Sequence, residues 1–520
     1  MTVQSCTEDF QVVWTDPADA ELHWGWDKMH NPRPMAPLGY DLAERQNALV
    51  FSARTAILNG YIFAHGFSIP TPPQEVWDRG VATVWEGEYA PRCREACARW
   101  RNTDYNSMTA AEIAGSLDGI IEEAGEVMLL TMIVAIAFGM PTSVLADFCE
   151  EELGAEGGQL AAALLQGFDN VSAGGGAGLG ELAETALKLP AVAAAFRERR
   201  YDGLESLEGG PQFAAELRSY LDEYGWRAES WGRVHVPTWA EDPRVPLMLI
   251  GRYLADASVT PAAAIERAVG QRENATREIE TRLSGEKLER FRELLAKCQS
   301  HVRISEGRAF WQLTIDGSMR VPLLALGAKL VAAGTLDEAN DIFYLRLDEA
   351  KGAAADSRSR LQKQVAAGKA DLARWESLSP PAFVGGPEKT EMPAVFVKAQ
   401  GRFWGGEIEQ PADGAVVKGN PAARGIARGP ARLIMDLGQA DRLQKGEVLV
   451  CPSTAPPWTP LFAIASAVVT DTGGILSHSA ICAREYGIPA VVGTKVGTRR
   501  IPDGAMVTVD GGLGTVRIEG

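Results

Sequence analysis

The stretch from Ala463 to Gly493 restricts the possible folds of this chain more than any other. Ala463 to Val469 is an apolar, β-branched run of strand length. Gly473-Gly474 after it predicts a tight backbone turn. Ser477 suits a helix N-cap, and Ala480-Ile481-Cys482-Ala483 predicts a short helix behind it. Gly487 and Pro489 stop that helix in the expected order, and Ala490 to Val492 begins another strand. This pattern puts His478 in the first turn of a helix, just after a glycine turn.

That position has a chemical meaning. The first backbone N–H groups of a helix are unpaired and carry partial positive charge, so they can hold an anion. An imidazole there can attack a phosphoryl group and become phosphohistidine, while the N–H groups cradle the new charge. A lone histidine at a polar helix start also has a plain structural reading.

The whole run Thr470-Asp471-Thr472-Gly473-Gly474-Ile475-Leu476-Ser477-His478-Ser479 and on to Gly493 closely resembles a known signature. It is the phosphohistidine signature of the swivelling domain in phosphoenolpyruvate synthase, pyruvate phosphate dikinase, rifampicin phosphotransferase and phenylphosphate synthase. Gly419-Asn420-Pro421-Ala422-Ala423-Arg424-Gly425 resembles that domain's opening, and Asp503-Gly504-Ala505-Met506-Val507 its closing strands. The resemblance implies that His478 is the phosphoryl-carrying nucleophile, with Thr472, Gly473, Gly474, Ser477 and Arg484 supporting its loop. Leu476 stands where the dikinase motif has a regulatory threonine, so threonine-switch control does not carry over.

A chain of 520 residues should divide into several domains, each able to bury its own core. A net charge of −17 argues against a nucleic-acid surface and against an anionic membrane face. Seven scattered cysteines do not suggest a disulfide framework, and a reducing cytoplasm fits best. Cys93 and Cys97 sit at i, i+4 but no second pair or nearby histidine completes a zinc site, so no metal ligands are expected. The start is acidic and polar, unlike a signal peptide. Val127 to Met140 is too short an apolar run to span a bilayer and predicts a buried helix.

Before the histidine domain, Trp14 to Leu38 is dense in aromatics and prolines. Two readings fit: an irregular strap whose tryptophans are core, or the wall of a pocket for a flat ligand. On the second reading Trp24 and Trp26 line the pocket with His23, His30 and Arg33 as polar handles, and His65, in the alternating stretch Leu58 to Pro72, is either a further pocket residue or filler. His30-Asn31-Pro32-Arg33-Pro34-Met35-Ala36-Pro37-Leu38 resembles the start of the substrate domain in the phenylphosphate synthase and rifampicin phosphotransferase group. From Glu75 to Leu347 the pattern is helical, with apolar stripes at Phe213, Leu217, Tyr220, Leu221, Tyr224 and at Leu288, Phe291, Leu294, Leu295, Cys298. Gly174 to Gly180 lacks the Lys-Ser/Thr of a phosphate loop and predicts a flexible surface loop. Further on, Arg303, Glu306, Arg308 and Trp311 share one region of a helix. Two arginines, a carboxylate and an aromatic are what a phosphoryl-acceptor site needs, although a surface Arg–Glu pair of little energetic weight is the plainer reading.

The expected fold class is α+β and multidomain. Residues 1–378 form a mainly helical substrate-binding domain, 379–414 a Pro- and Gly-rich linker or hinge, and 415–520 a β/β/α swivelling phosphohistidine domain. The resemblance implies that ATP and Mg²⁺ are bound mainly by a separate ATP-grasp subunit. His478 then passes its phosphoryl group to the hydroxyl of a small aromatic acceptor, as in phenylphosphate synthase. The same relay onto an antibiotic or natural-product hydroxyl, and a protein-to-protein phosphohistidine carrier, are the competing expectations.

Overall fold

The computed structural model describes residues 10–28, 31–66, 70–168, 171–255, 261–356, 360–378, 380–387, 398, 401–402, 405–406, 408–411 and 414–519. Only the backbone is described at 2–5 and at 138, 140, 155, 159, 172, 173, 261–264, 303 and 305. Spatial proximity gathers the chain into two units. The first comprises Met1–Ile136, Arg227–Thr238 and Trp311–Met392; the second comprises Ala137–Trp226, Trp239–Phe310 and Pro393–Gly520. This partition follows proximity rather than chain order, so it does not coincide with cuts at 378 and 415.

In the first unit β1 (Thr2–Ser5) pairs antiparallel with β2 (Gln11–Trp14). A second, antiparallel sheet uses β3 (His23–Trp26), β4 (Arg54–Leu58), β5 (Tyr61–His65) and β6 (Phe383–Gly385) in the order β4-β5-β3-β6. Phe10, Trp14, Trp24, Tyr61, Phe63 and Val384 form one apolar cluster on these strands. The larger core is helical. Leu38 and Leu42 come from the helix Pro37–Phe51, Cys93 to Trp100 from Ala90–Asn102, and Met319 to Leu330 from Gly285–Ala332. Pro37 suits the first helical position because its missing N–H has no partner to lose there. Burial pushes the Cys93 and Cys97 thiols up to about 12, so both behave as small core hydrophobes.

The apolar run from Val127 lies inside a longer helix, Ala110–Leu153. By length and composition alone this helix could cross a membrane, which corrects the expectation that the run is too short. In its most apolar window 62% is buried inside the protein, as a core helix would be.

In the second unit the apolar stripe on the helix Gly285–Ala332 packs as expected. Phe291, Leu294, Leu295 and Cys298 meet Leu145, Cys149, Leu164, Ala275 and Ile279. The surface loop expected at Gly174 to Gly180 is instead part of the helix Val171–Lys188. The reason is tertiary: a Cβ at Gly178 would lie 2.9 Å from the Tyr220 ring, and one at Gly174 3.0 Å from the Tyr224 hydroxyl. The glycines let the helix Gly210–Tyr224 approach, and Tyr220 donates to the Gly175 carbonyl at 3.0 Å. Close packing and this hydrogen bond outweigh poor helix propensity.

The C-terminal part of this unit is a sheet of β7 (Val416–Lys418), β8 (Asn420–Ala423), β9 (Ile426–Leu433), β10 (Val448–Cys451), β11 (Ala467–Thr470), β12 (Ala490–Val492), β13 (Met506–Asp510) and β14 (Thr515–Ile518). Their order is β7-β14-β13-β9-β10-β11-β12-β8. The central β9, β10, β11 and β12 are parallel, and the flanking pairs are antiparallel. Val448, Val450, Ala467, Val469, Val491, Val507, Val509 and Val516 fill its core. The fold is thus α+β, with a helical N-terminal region and a β-rich C-terminal domain. The strand expected from Ala463 begins later: Ala463 ends the 3₁₀ helix Pro456–Ala463, and the ladder starts at Ala467.

Candidate active site

β11 and β12 are parallel neighbours, so the chain must cross over between them, and it does so through the helix His478–Tyr486. Gly473 has φ of +108°, a conformation that side chains rarely adopt. A Cβ at Gly474 would fall 2.2 Å from the Arg402 carbonyl oxygen, so the turn runs too close to its neighbour for a side chain. Ser477 caps the helix, its hydroxyl accepting from the Ala480 N–H at 3.4 Å. Gly487 ends it in the left-handed conformation. The local reading of the sequence therefore holds at these positions.

The supporting residues act on the backbone. The N–H and hydroxyl of Thr472 both donate to the Pro452 carbonyl, at 3.1 and 3.2 Å. Arg484 is buried, and its Nη1 donates to the carbonyls of Ala422 and Ile475, both at 2.8 Å. Burial brings its guanidinium down to about 10. Arg484 therefore staples the loop to β8 from within. Arg402 holds the same loop from outside: its carbonyl accepts the Leu476 N–H at 2.7 Å. Its guanidinium donates to the Ser143 carbonyl and hydroxyl at 2.8 and 2.9 Å, to Asp147 at 2.7 Å and to Glu150 at 3.0 Å.

His478 is nearly enclosed, its side chain 13% exposed. Nδ1 lies 3.6 Å from Glu306 Oε2, within ion-pair range but beyond a hydrogen bond. Nε2 lies 3.4 Å from the Thr459 hydroxyl and 3.4 Å from Cys482 Sγ. Glu485 adds a second carboxyl on the same helix. Burial, then the charge of Glu306, push it up to about 8 against the pull of Arg484. Burial likewise pushes the Cys482 thiol well up, so it stays protonated. Arg308 is half-buried, and burial lowers its guanidinium while Glu306 favours the charged form. Glu306, a carboxylate within ion-pair range of the ring, is placed to take up a proton beside it.

Of the acceptor residues expected from sequence, Glu306 meets His478 and Arg308 is electrostatically coupled to Glu306. The side chain of Arg303 lies outside the described residues, as does His30. The remaining substrate candidates belong to the first unit. Trp24 is core, 1% exposed and stacked on Trp14 with ring centroids 6.0 Å apart. Trp26 donates to the Asn31 carbonyl at 3.1 Å and meets Tyr61 edge-on. His65 Nδ1 lies 2.8 Å from the His23 carbonyl oxygen. Arg33 pairs with Glu376 at 2.7 Å. Trp311 packs against the helical core under the Arg94 guanidinium. Of these five side chains Trp24 is buried and the other four are half-buried. Thr459, Cys482, Glu485 and Arg402 were not singled out by the sequence reading. Cys482 and Glu485 were findable, because i+4 and i+7 from His478 share its helix face; Thr459 and Arg402 carry no local signal.

Residues 131–306 match the family described as rifampicin phosphotransferase fourth domain, and 443–514 match the mobile domain of PEP-utilising enzymes. Chondramide synthase cmdD of Chondromyces crocatus is 31% identical over 562 residues, covering 98% of this chain and 14% of the relative. The uncharacterized phosphotransferase YvkC of Bacillus subtilis (strain 168) is 32% identical over 62% of this chain and 38% of its own length. Rifampicin phosphotransferase of Streptomyces sviceus is 30% identical over 61% of this chain and 36% of its own length. The chain thus spans well under half of each of these relatives. With the glycine turn and the capped histidine helix lying inside the second match, residues 443–514 form the mobile domain of PEP-utilising enzymes, and residues 131–306 before it are similar to the fourth domain of rifampicin phosphotransferase.

Proposed function

We propose that this chain is the substrate and phosphohistidine subunit of an ATP-dependent phosphotransferase of the dikinase type. An ATP-grasp subunit holds ATP, and Mg²⁺ bound with the nucleotide neutralises its phosphates. The Nε2 lone pair of His478 attacks the β-phosphorus as the α–β P–O bond breaks and AMP leaves; water then cleaves the β–γ bond, releasing the γ-group as phosphate and leaving the β-phosphoryl group on the ring. The helix N–H groups and the capped turn stabilise the charge on the phosphorylated ring. The domain then moves about the 379–414 linker, so that one histidine serves two places.

In the second step an acceptor hydroxyl attacks phosphorus and the P–N bond breaks. The bonding pair returns to Nε2, and the hydroxyl proton goes to Glu306, within reach of the ring. The observation that carries this reading is the Glu306 carboxylate 3.6 Å from Nδ1 of a capped, glycine-turn histidine. Arg308, coupled to Glu306, favours negative charge there. The acceptor is a small aromatic alcohol or phenol, on the resemblance to phenylphosphate synthase. A second reading places the group on a natural-product hydroxyl. Similarity to a chondramide synthase and to a rifampicin phosphotransferase favours it.

The test is label transfer from β-³²P-ATP with the ATP-grasp subunit present. His478→Asn should abolish acid-labile label on this chain, and undiminished labelling would refute the assignment. Discharge of labelled protein to phenols against polyketide alcohols separates the two acceptor classes.

A further inference from the structure

Thr459 lies in the 3₁₀ helix Pro456–Ala463, where Pro456, Pro457 and Pro460 fix their own backbone φ angles. Pro456 to Phe462 are all buried, so close packing holds the segment as well. This sets the Thr459 side chain, 3% exposed, against the first turn of the helix His478–Tyr486. Its hydroxyl oxygen is 3.4 Å from His478 Nε2. Catalytic hydrogen bonds are commonly long before the reacting group is in place.

Cys482, one helical turn beyond His478, closes a triangle. Its Sγ lies 3.4 Å from Nε2 and 3.7 Å from Nδ1. Being nearly equidistant, the sulfur packs against the ring rather than along the lone pair of one nitrogen. It is also 3.7 Å from the Thr459 hydroxyl. The thiol thus acts as a wedge that limits how far the imidazole can turn away from Thr459.

The chemistry of these neighbours sets what each can do for a phosphoryl group on Nε2. An ionised carboxylate such as Glu306 only accepts hydrogen bonds, and a thiol is a weak donor. A hydroxyl both donates and accepts, so it can partner Nε2 in either tautomer of the free ring and turn to donate to a phosphoryl oxygen afterwards. We infer that Thr459 is a catalytic residue, its hydroxyl donating to the phosphoryl group as the N–P bond forms and while His478 carries it, with Cys482 the positioning residue that holds the ring for that bond. The inference rests on phosphoryl transfer through His478 and adds the residue that binds the group in transit.

Phosphoramidate tests this on the full chain without any nucleotide. Nε2 attacks its phosphorus, the P–N bond to the amine breaks, ammonia leaves and the ring proton passes to solvent. Initial rates of acid-labile labelling by ³²P-phosphoramidate are read above the His478→Asn background, and ³¹P NMR identifies the nitrogen that carries phosphate. The wild type should carry it on Nε2. Thr459→Val keeps the shape without the hydroxyl and should label about 10–100-fold more slowly. Thr459→Ser should restore most of the rate, and Thr459→Ala takes the place of the valine variant should that one unfold. Cys482→Ala should slow labelling by less than Thr459→Val; an unchanged or faster rate would overturn the role of the thiol. Wild-type labelling of Thr459→Val, a serine variant as slow as the valine one, or phosphate on Nδ1 would each overturn the role of Thr459 while leaving His478 as carrier. A wild type labelled no more than His478→Asn would remove the phosphohistidine reading and this inference together.

Discussion

Replacing Arg402 by Met should free the histidine loop. The guanidinium makes four hydrogen bonds, two to Ser143 and one each to Asp147 and Glu150, at 2.7–3.0 Å, and the side chain is 8% exposed. Charge-assisted bonds are worth about 1.5–3 kcal/mol each when well desolvated. Here Glu150 is 47% exposed, and Lys398 also pairs with both carboxylates, so part of the interaction survives the substitution. Methionine keeps the apolar stem, so the net loss should be about 2–4 kcal/mol. Because the Arg402 carbonyl holds the Leu476 N–H, that loss should appear as local opening. An increase of about 30-fold or more in amide exchange at Leu476 corresponds to about 2 kcal/mol. Hydrogen exchange read by mass spectrometry over 472–482 is the assay. Burial alone would raise the Asp147 carboxyl, but Arg402 and Lys398 outweigh it and hold it low. A depressed carboxylate stabilises above its unfolded pKa, so the penalty should fade below about pH 4. Unchanged exchange at Leu476 with a lower global melting temperature would refute the loop-holding role.

Glu306→Gln should leave labelling of His478 intact and slow discharge to the acceptor by about 10²–10⁴-fold, the range for a lost general base; single-turnover chase of the labelled protein reads this, and equal slowing of both steps would count against it. Glu485→Gln should stabilise the protein at pH 8 and leave it unchanged near pH 4. The sign follows from a folded carboxyl raised to about 8, which loses stability as pH rises from the unfolded value to the folded one; thermal melts across that window test it, and a variant less stable at pH 8 contradicts it. Gly473→Ala should cost about 1–3 kcal/mol, since φ is +108° and the new Cβ would sit 2.7 Å from the Ser477 hydroxyl oxygen; denaturant midpoints and labelling should fall together.

The histidine turn was legible because every part of it is local. A glycine at positive φ, a serine cap, a short apolar helix and a Gly-x-Pro stop are each set by the residues that occupy them, whatever surrounds them. The helical stripes at Phe213 to Tyr224 and Leu288 to Cys298 were legible for the same reason, since periodicity already fixes which face is buried. Gly174 to Gly180 was not. Taken alone, glycines disfavour helix, and only the Tyr220 and Tyr224 rings pressing on that face show what they are for. Trp24 was open between pocket and core until its stacking on Trp14 placed it in the core.

The amino-acid order by itself determined the local frame, an imidazole in the first turn of a serine-capped helix behind a glycine turn, because a backbone turn and its cap are short-range properties. Which groups surround that imidazole was decided only by the tertiary structure. Glu306, Thr459 and Arg402 come from far along the chain. Side chains so separated meet only through the packing of whole elements, which no local pattern encodes.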